Sequence, residues 1–175
     1  MTEVLVERHW ATPLADADIQ HLFEITGGCL DIHRVNWRGS LLALDGHELL
    51  CHFSAADAES VRLALRQAGS QVGKVWSGTV LDAPGLKEDD LLRANVLVSR
   101  QFEEPVAFED IQAIEDAGVS CLETHRVRFV RTFFAADCQR MICLYQAPDA
   151  ESLRIAQREA KMPVERVWAF RQLRP

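Results

Sequence analysis

The stretch HRVNWRGSLLALDGHELLCHFSAADAES at residues 33–60 returns in altered form as HRVRFVRTFFAADCQRMICLYQAPDAES at residues 125–152. Each copy holds two apolar runs separated by a segment with an Asp, and each ends in Asp-Ala-Glu-Ser. Apolar runs on either side of a turn are typical of a β-hairpin, and an Asp before a helical stripe is typical of an N-cap. The stretch therefore predicts strand, turn, strand and capped helix, twice.

The similarity extends over most of the chain. A shift of 92 residues aligns residues 4–83 with residues 96–175 without a gap, and 30 of these 80 pairs are identical. Self-similarity at one fixed offset indicates a tandem duplication. Between the copies, Pro84-Gly85 opens a charged segment that is typical of a linker. We expect a first repeat at 1–83, a linker at 84–95 and a second repeat at 96–175, folding as one cooperative unit.

Each repeat is predicted to have the order β-α-β-β-α-β. In the first repeat the periodicity predicts strands at 3–10, 33–44, 48–54 and 74–82, and helices at 14–26 and 58–68. The first helix is expected to end at Gly27-Gly28, and Asp57 is expected to cap the second. This order is that of the ferredoxin-like unit, in which both helices cover one face of a four-stranded antiparallel sheet.

The strand predicted at residues 33–44 is apolar on both faces. Val35, Trp37 and Leu41 point to one side, and Leu42 and Leu44 to the other. A strand with two apolar faces is buried on both. We therefore expect an α+β protein in which two tandem ferredoxin-like repeats pack their sheets together, with the helices outside, as a fused, pseudo-two-fold dimeric α+β barrel.

The composition excludes several classes of partner. The 175 residues carry 26 acidic and 19 scattered basic side chains, a net charge of −7, so no nucleic-acid partner is expected. No apolar run reaches the roughly 18 residues of a membrane span, and the first residues lack a signal-peptide pattern. Five cysteines without C-x-x-C spacing favour a reducing, cytoplasmic location. Nucleotide-binding motifs are absent, so no nucleotide cofactor is expected. We expect a monomer or a homodimer.

The second repeat resembles a known family. Its segments VRFVRTFF (127–134), ICLYQAPDAESLR (142–154) and MPV (162–164) are similar to the nickel-binding-protein-like ferredoxin-fold domain family of uncharacterised function. The first strand, VLVER at residues 4–8, is similar to the usual opening of that family. The first repeat departs from the pattern, with Ala-Ala-Asp at 55–57 and Ser-Gln-Val at 70–72. The resemblance implies the ferredoxin-like fold in both copies and a transition metal such as nickel as ligand.

One duplicated pair carries metal-binding chemistry. Cys29 and His33 recur as Cys121 and His125, and a step of four residues places both side chains on the same side of a helix or a strand. Thiolate and imidazole suit nickel, zinc and copper. Two ligands alone bind weakly, so a site requires the two copies to converge or carboxylates to join. The structural alternative is an inherited buried cysteine and a strand-opening histidine.

A second cluster occurs in the first repeat only. Glu7 and His9 end the first strand, and His47 opens the strand expected to pair with it. A carboxylate beside an imidazole can act as a general acid and base, so these residues are the catalytic candidates if the protein is an enzyme. The alternative is a solvated strand end.

Arginines and large aromatics recur at matched positions. Arg8 and Arg100 occupy one position of the first strand of each repeat, where a guanidinium inside a barrel would orient a carboxylate ligand. The candidate aromatic lining of such a pocket consists of Trp37, Trp76, Phe129 and Trp168. The alternatives are structural ion pairs and an ordinary core.

The leading hypothesis is a protein that binds a small molecule or a divalent transition-metal ion such as nickel. The rival is an enzyme without an organic cofactor, of the isomerase, cyclase or oxygenase type, with its chemistry at the His, Glu and Arg cluster; fold analogy alone supports it. A third possibility is a structural module with a filled core. A pocket of about 300 Å³ or more lined by Trp and Arg would favour a ligand.

Overall fold

The computed structural model describes the whole chain, Met1–Pro175, as an α+β fold with eight strands and six helices. In chain order they are β1 (Thr2–His9), α1 (Asp16–Ile32), β2 (Asn36–Ala43), β3 (Glu48–Ala55), α2 (Ala58–Gln67), β4 (Lys74–Asp82), α3 (Glu88–Arg93), β5 (Val96–Gln101), α4 (Phe108–Ala117), α5 (Val119–Thr124), β6 (Arg128–Ala135), β7 (Arg140–Gln146), α6 (Ala150–Glu159) and β8 (Arg166–Leu173). No helix combines the length and the apolar character that a membrane crossing requires.

The chain divides into two compact units. Unit 1 comprises Met1–Gly78 and Arg171–Pro175, and unit 2 comprises Thr79–Phe170. In unit 1, β1 lies between β3 and β4, and β3 also pairs with β2. In unit 2, β5 lies between β7 and β8, and β7 also pairs with β6. All of these pairings are antiparallel, as the ferredoxin-like order predicts.

The two predicted caps are confirmed. The Asp57 carboxylate accepts the backbone N–H of Ser60 at 2.7 Å, and the Asp149 carboxylate accepts that of Ser152 at 2.7 Å. Each bond satisfies a donor that the first turn of a helix leaves without an intrahelical partner. These hydrogen bonds lower the pKa of both aspartates. Asp-Ala-Glu-Ser therefore starts α2 and α6, as the sequence indicates.

The predicted end of the first helix is wrong. Instead of stopping at Gly27-Gly28, α1 continues to Ile32. A glycine inside a helix costs roughly 1 kcal/mol relative to alanine, which weakens a helix without ending it. Cys29 and Leu30 in the following turn pack against the core of unit 1 and offset that cost. The two glycines consequently lie inside a long helix.

The second half differs at the matched place. There the helix is interrupted at Gly118, between α4 and α5. A Cβ atom at Gly118 would lie 2.5 Å from the Cβ of Ala160 at the end of α6, so only glycine permits this close approach.

The second strand also begins later than predicted, at Asn36 instead of residue 33. Arg34 has a φ of 53°, in the left-handed region, and the N–H of Val35 donates to the carbonyl oxygen of Leu30 at 2.9 Å. Residues up to Val35 therefore complete the end of α1. The interval predicted as a linker, residues 84–95, contains the short helix α3.

The core of unit 1 lies between its sheet and the helices α1 and α2. Val4 and Val6 on β1 are fully buried in this core, beside Cys51 of β3 and Leu65 of α2. Side chains two positions apart on a strand share one face. Arg8 is the next residue on this face after Val4 and Val6, so the strand carries a cation into the layer between sheet and helices.

The C-terminal segment Arg171–Pro175 completes unit 1. Leu173 packs against the unit 1 core, and its carbonyl oxygen lies 3.1 Å from the Cβ position of Gly39 on β2. Arg171 pairs with Asp16 at the start of α1 at 2.7 Å. The last residues of the chain therefore pack against its first half and contribute to the core of unit 1.

We expect removal of residues 171–175 to expose the outer edge of β2, since Leu173 leaves both the core and this edge. In hydrogen-exchange measurements, the amides of β2 should lose protection while those of β6 and β7 in unit 2 keep theirs. The same protection of β2 with and without the segment would contradict its role.

Candidate functional site

An enclosed cavity of about 240 Å³ lies in unit 1 between α1 and the sheet. Its inner wall consists of the buried residues Arg8, Thr26, Cys51, Phe53 and Leu65. The cavity is lined by Trp37 and Arg8 as expected, but its volume lies below the roughly 300 Å³ that the sequence analysis set for a ligand pocket. It therefore suits only a molecule smaller than a drug, with one or two rings. Arg8 is the one charged residue among those that line it.

The partners of Arg8 include no carboxylate. Its side chain donates from Nη1 to Ser70 Oγ at 3.0 Å and to the Gln71 carbonyl oxygen at 3.4 Å. Nη2 donates to Cys51 Sγ at 3.1 Å, and Nε has no acceptor. The guanidinium carbon lies 5.7 Å from the centre of the Trp10 ring. Because Arg8 is only 4% exposed, its charge is buried without an ion-pair partner, which costs free energy.

Aromatic rings form the outer wall of the cavity. Trp37 donates from Nε1 to Ser40 Oγ at 2.9 Å, and Ser40 in turn donates to Cys51 Sγ at 2.9 Å. These bonds fix the indole of Trp37, whose ring centre lies 4.6 Å from that of Phe23 on α1. Phe23, Gly27 and Trp37 are partly exposed, so the mouth of the cavity lies along α1.

The matched arginine in unit 2 has a different environment. Arg100 is fully buried and donates from Nη1 to the Pro163 carbonyl oxygen at 2.6 Å. Its Nη2 donates to Gln157 Oε1 at 2.7 Å and to Tyr145 Oη at 3.1 Å. Tyr145 donates its own proton to Glu115 Oε1 at 3.2 Å. The chain thus supplies Arg100 with three polar acceptors, and the Glu115 carboxyl group lies one hydrogen bond further, on Tyr145. Arg100 Nε, like Arg8 Nε, has no acceptor.

This buried network shifts the titration of its members. Burial raises the pKa of Glu115, and the charge of Arg100 and the hydrogen bond from Tyr145 oppose that rise. Burial also raises the pKa of Tyr145 well above its ordinary value, so the phenol keeps the proton that it donates.

Three polar residues of the network have apolar residues at the positions 92 residues earlier: Phe23, Phe53 and Leu65 stand where Glu115, Tyr145 and Gln157 stand in the second half. All three apolar side chains line the cavity around Arg8. The first half therefore keeps the cation and lacks these three groups, and Ser70, Gln71 and Cys51 accept from Arg8 without bringing a carboxyl group. Inspection of the residues that differ between the halves around the shared arginine would have revealed these three positions from the sequence.

The predicted metal ligands lie at the ends of helices. His33 Nε2 is hydrogen-bonded to Gln67 Oε1 at 2.7 Å, and His125 Nε2 pairs with Glu159 Oε2 at 2.9 Å. Cys29 and Cys121 are partly buried free thiols. No three His, Cys, Asp or Glu side chains of the chain form a group that could hold a metal ion. The cysteine and histidine pairs are therefore not joined by further ligands.

The predicted acid–base cluster is brought together in part. The rings of His9 and His47 lie 6.2 Å apart, and Nδ1 of His9 pairs with Glu48 Oε1 at 2.9 Å. Glu7 instead accepts a hydrogen bond from Trp76 Nε1 at 2.7 Å. The carboxylate beside His9 is thus Glu48, which the sequence analysis did not select.

The predicted ligand-binding residues separate into two groups. Arg8 and Trp37 line the unit 1 cavity. The rings of the other half have partners outside this cavity, with Phe129 5.8 Å from Tyr145 and Trp168 6.3 Å from Phe170.

Comparisons with known proteins agree with the fold. Residues 97–169 match a family model described as "Nickel responsive protein SCO4226-like", which is less than half of the chain. No curated protein matches the chain. The solved structure of TA0507, provisionally named a chlorite dismutase, aligns with a TM-score of 0.55 and 14% identity over 99% of this chain and 94% of that one. This likeness shows the ferredoxin-like α+β fold alone.

Two further solved structures align less closely. SCO4226 from Streptomyces coelicolor A3(2) gives a TM-score of 0.38 and 14% identity over 42% of this chain and 91% of that one. A heme-binding protein from Thermus thermophilus gives 0.48 and 10% over 98% and 91%. The matched family is named for nickel, and no three His, Cys, Asp or Glu side chains of this chain form a group that could hold a metal ion.

The two arginines should differ in their contribution to stability. Arg100→Met leaves the Pro163 carbonyl oxygen and the Gln157 amide oxygen buried without their charged donor and should cost about 3–5 kcal/mol of the free energy of unfolding. Arg8→Met removes a buried charge that has no carboxylate partner and should cost no more than about 1 kcal/mol. Urea unfolding at neutral pH measures both values. Equal losses would show that Arg8 is as well satisfied as Arg100.

Glu115 should make stability depend on pH. Its pKa in the folded protein lies above the unfolded value, so the free energy of unfolding falls as pH rises from the unfolded pKa to the folded one, and then levels off. Glu115→Gln should abolish this fall, as seen in urea unfolding between about pH 4 and about pH 8. Glu123→Gln, at an exposed glutamate of α5 that does not act on Glu115, is the control and should keep the slope. A wild-type slope in Glu115→Gln would refute the assignment.

Proposed function

We propose that the protein binds a small organic molecule in the unit 1 cavity. The observation that carries this proposal is a cavity of about 240 Å³ whose walls are mostly apolar and aromatic, with Thr26, Cys51 and one buried cation, Arg8. Ligand pockets have this composition, in which apolar walls provide affinity and a few polar groups fix orientation. The ligand is organic, since no group of metal-ligating side chains accompanies the cavity.

Helix α1 provides both the mouth and the space. Gly27 lines the cavity, and a Cβ atom at this position would contact no atom within 4 Å. Val119 occupies the matched position of the second half. Because two adjacent glycines also weaken the middle of α1, this helix can open locally at low cost and admit a ligand.

We also propose that the two halves are a tandem duplication in which only the first became a binding site. The 30 identical pairs and the shared strand register support this, since Val6 faces Cys51 as Val98 faces Cys143. In the second half, the polar network around Arg100 has the character of a structural core. The cavity of the first half is the one that holds the shared arginine at its wall, and it is the site that we propose for the ligand.

A side chain that fills the cavity should abolish binding. Gly27→Leu projects a side chain from the cavity wall, whereas Gly28→Leu places it on the exposed side of the same helix and gains the same helix propensity. Three one- and two-ring probes, indole, benzoate and benzamide, are titrated into each protein by calorimetry.

We expect at least one of these probes to bind the wild-type chain, with roughly tenfold or greater loss in Gly27→Leu and none in Gly28→Leu. Failure of all three probes to bind, or the same affinity in Gly27→Leu, would contradict a ligand site in this cavity.

A further inference from the structure

We infer that the ligand carries one carboxylate group, which binds Arg8. This inference rests on the proposed function and adds the chemical class of the ligand to it. Arg100 serves as the reference for Arg8, because the two arginines occupy matched positions in the same strand register.

The second half shows what this position requires. Around Arg100, the acceptors are the Pro163 carbonyl oxygen, the Gln157 amide oxygen and the Tyr145 hydroxyl. Tyr145 in turn donates a hydrogen bond to the Glu115 carboxyl group. The positive charge of Arg100 acts on Glu115, since it opposes the rise of that carboxyl group's pKa. A buried guanidinium at this position is thus matched by a carboxyl group within the same layer.

The first half keeps the arginine and replaces all three groups by hydrocarbon side chains. Had the position become an ordinary apolar core, an apolar residue at position 8 would satisfy it at no electrostatic cost. Arg8 is instead retained at the wall of a cavity, among neighbours that leave its charge without a carboxylate. The missing carboxylate is therefore the group that an incoming ligand would supply.

The charge and the shape of the cavity narrow the class further. Arg8 is the one cation of the lining, so a monoanion is neutralised, whereas a dianion would bring a second, unpaired charge. The planar guanidinium matches the two oxygens of a carboxylate. Phe23, Trp37 and Phe53 offer ring faces and edges to a planar body. The geometry therefore favours an aromatic monocarboxylate of one or two rings.

The test compares two probes of the same shape. Benzoate and benzamide differ in charge and share the planar ring, so their affinities for the wild-type chain isolate the carboxylate. We expect benzoate to bind at least roughly tenfold more tightly, the usual value of a charge-assisted hydrogen bond. In Arg8→Met, this preference should vanish while benzamide still binds.

Each other outcome has a distinct meaning. Tighter binding of benzamide than of benzoate would overturn the carboxylate inference and leave the ligand site in place. Tighter binding of phenyl phosphate than of benzoate would overturn the inference that the ligand is a monoanion. Rapid alkylation of Cys51 by iodoacetamide at neutral pH would overturn the carboxylate inference, because the Cys51 sulfur would then be the anion that pairs with Arg8. Absence of binding by every probe would refute the proposed function itself.

A graft of the second-half network provides an independent variant. Phe23→Glu, Phe53→Tyr and Leu65→Gln together give Arg8 the partners that Arg100 has, so the chain should satisfy its own cation and lose benzoate binding. Circular dichroism confirms that the variant is folded. Undiminished benzoate binding in the folded variant would contradict the inference.

Discussion

A guanidinium that enters the layer between a sheet and its helices must find an anion or leave its charge uncompensated. The two halves of this protein meet that constraint differently at one strand position. Arg100 is held in a network that ends in the Glu115 carboxyl group, whereas Arg8 has a hydroxyl, a carbonyl and a thiol sulfur as acceptors. The proposed ligand follows from this difference, because the cavity beside Arg8 has apolar walls and no carboxylate of the chain.

The proposed duplication explains how such a site could arise without loss of the fold. The caps, the strand register and the buried valines are common to both halves, so the scaffold tolerates changes around the arginine. One half, in which a carboxyl group lies in the same network as the buried cation, can maintain stability while the other carries a buried charge without a carboxylate and a cavity, both of which cost free energy. Binding sites commonly bear such costs, because a ligand offsets them.

Local signals in the sequence predict the architecture well. The Asp57 cap and β4 follow directly from capping chemistry and alternation, and β4 spans the predicted residues 74–82. Helix α1 exceeds its predicted end, because packing by Leu30 outweighs the helix-breaking tendency of the glycines. Arg8 was selected from its recurrence, but its lack of a carboxylate was missed, because it depends on side chains distant in sequence that only a comparison of matched positions, such as Phe23 with Glu115, brings together. The packing of both sheets into one barrel stays a prediction.

Nitrogen-15 NMR can observe the Arg8 guanidinium directly. The Nε–H groups of Arg8 and Arg100 are both buried, so their signals should be resolved from those of exposed arginines, and Arg8→Lys identifies the first. If a carboxylate binds Arg8, saturating benzoate should shift the Arg8 signal and leave the Arg100 signal in place. An Arg8 signal that stays unchanged at saturating benzoate would contradict a carboxylate site at Arg8.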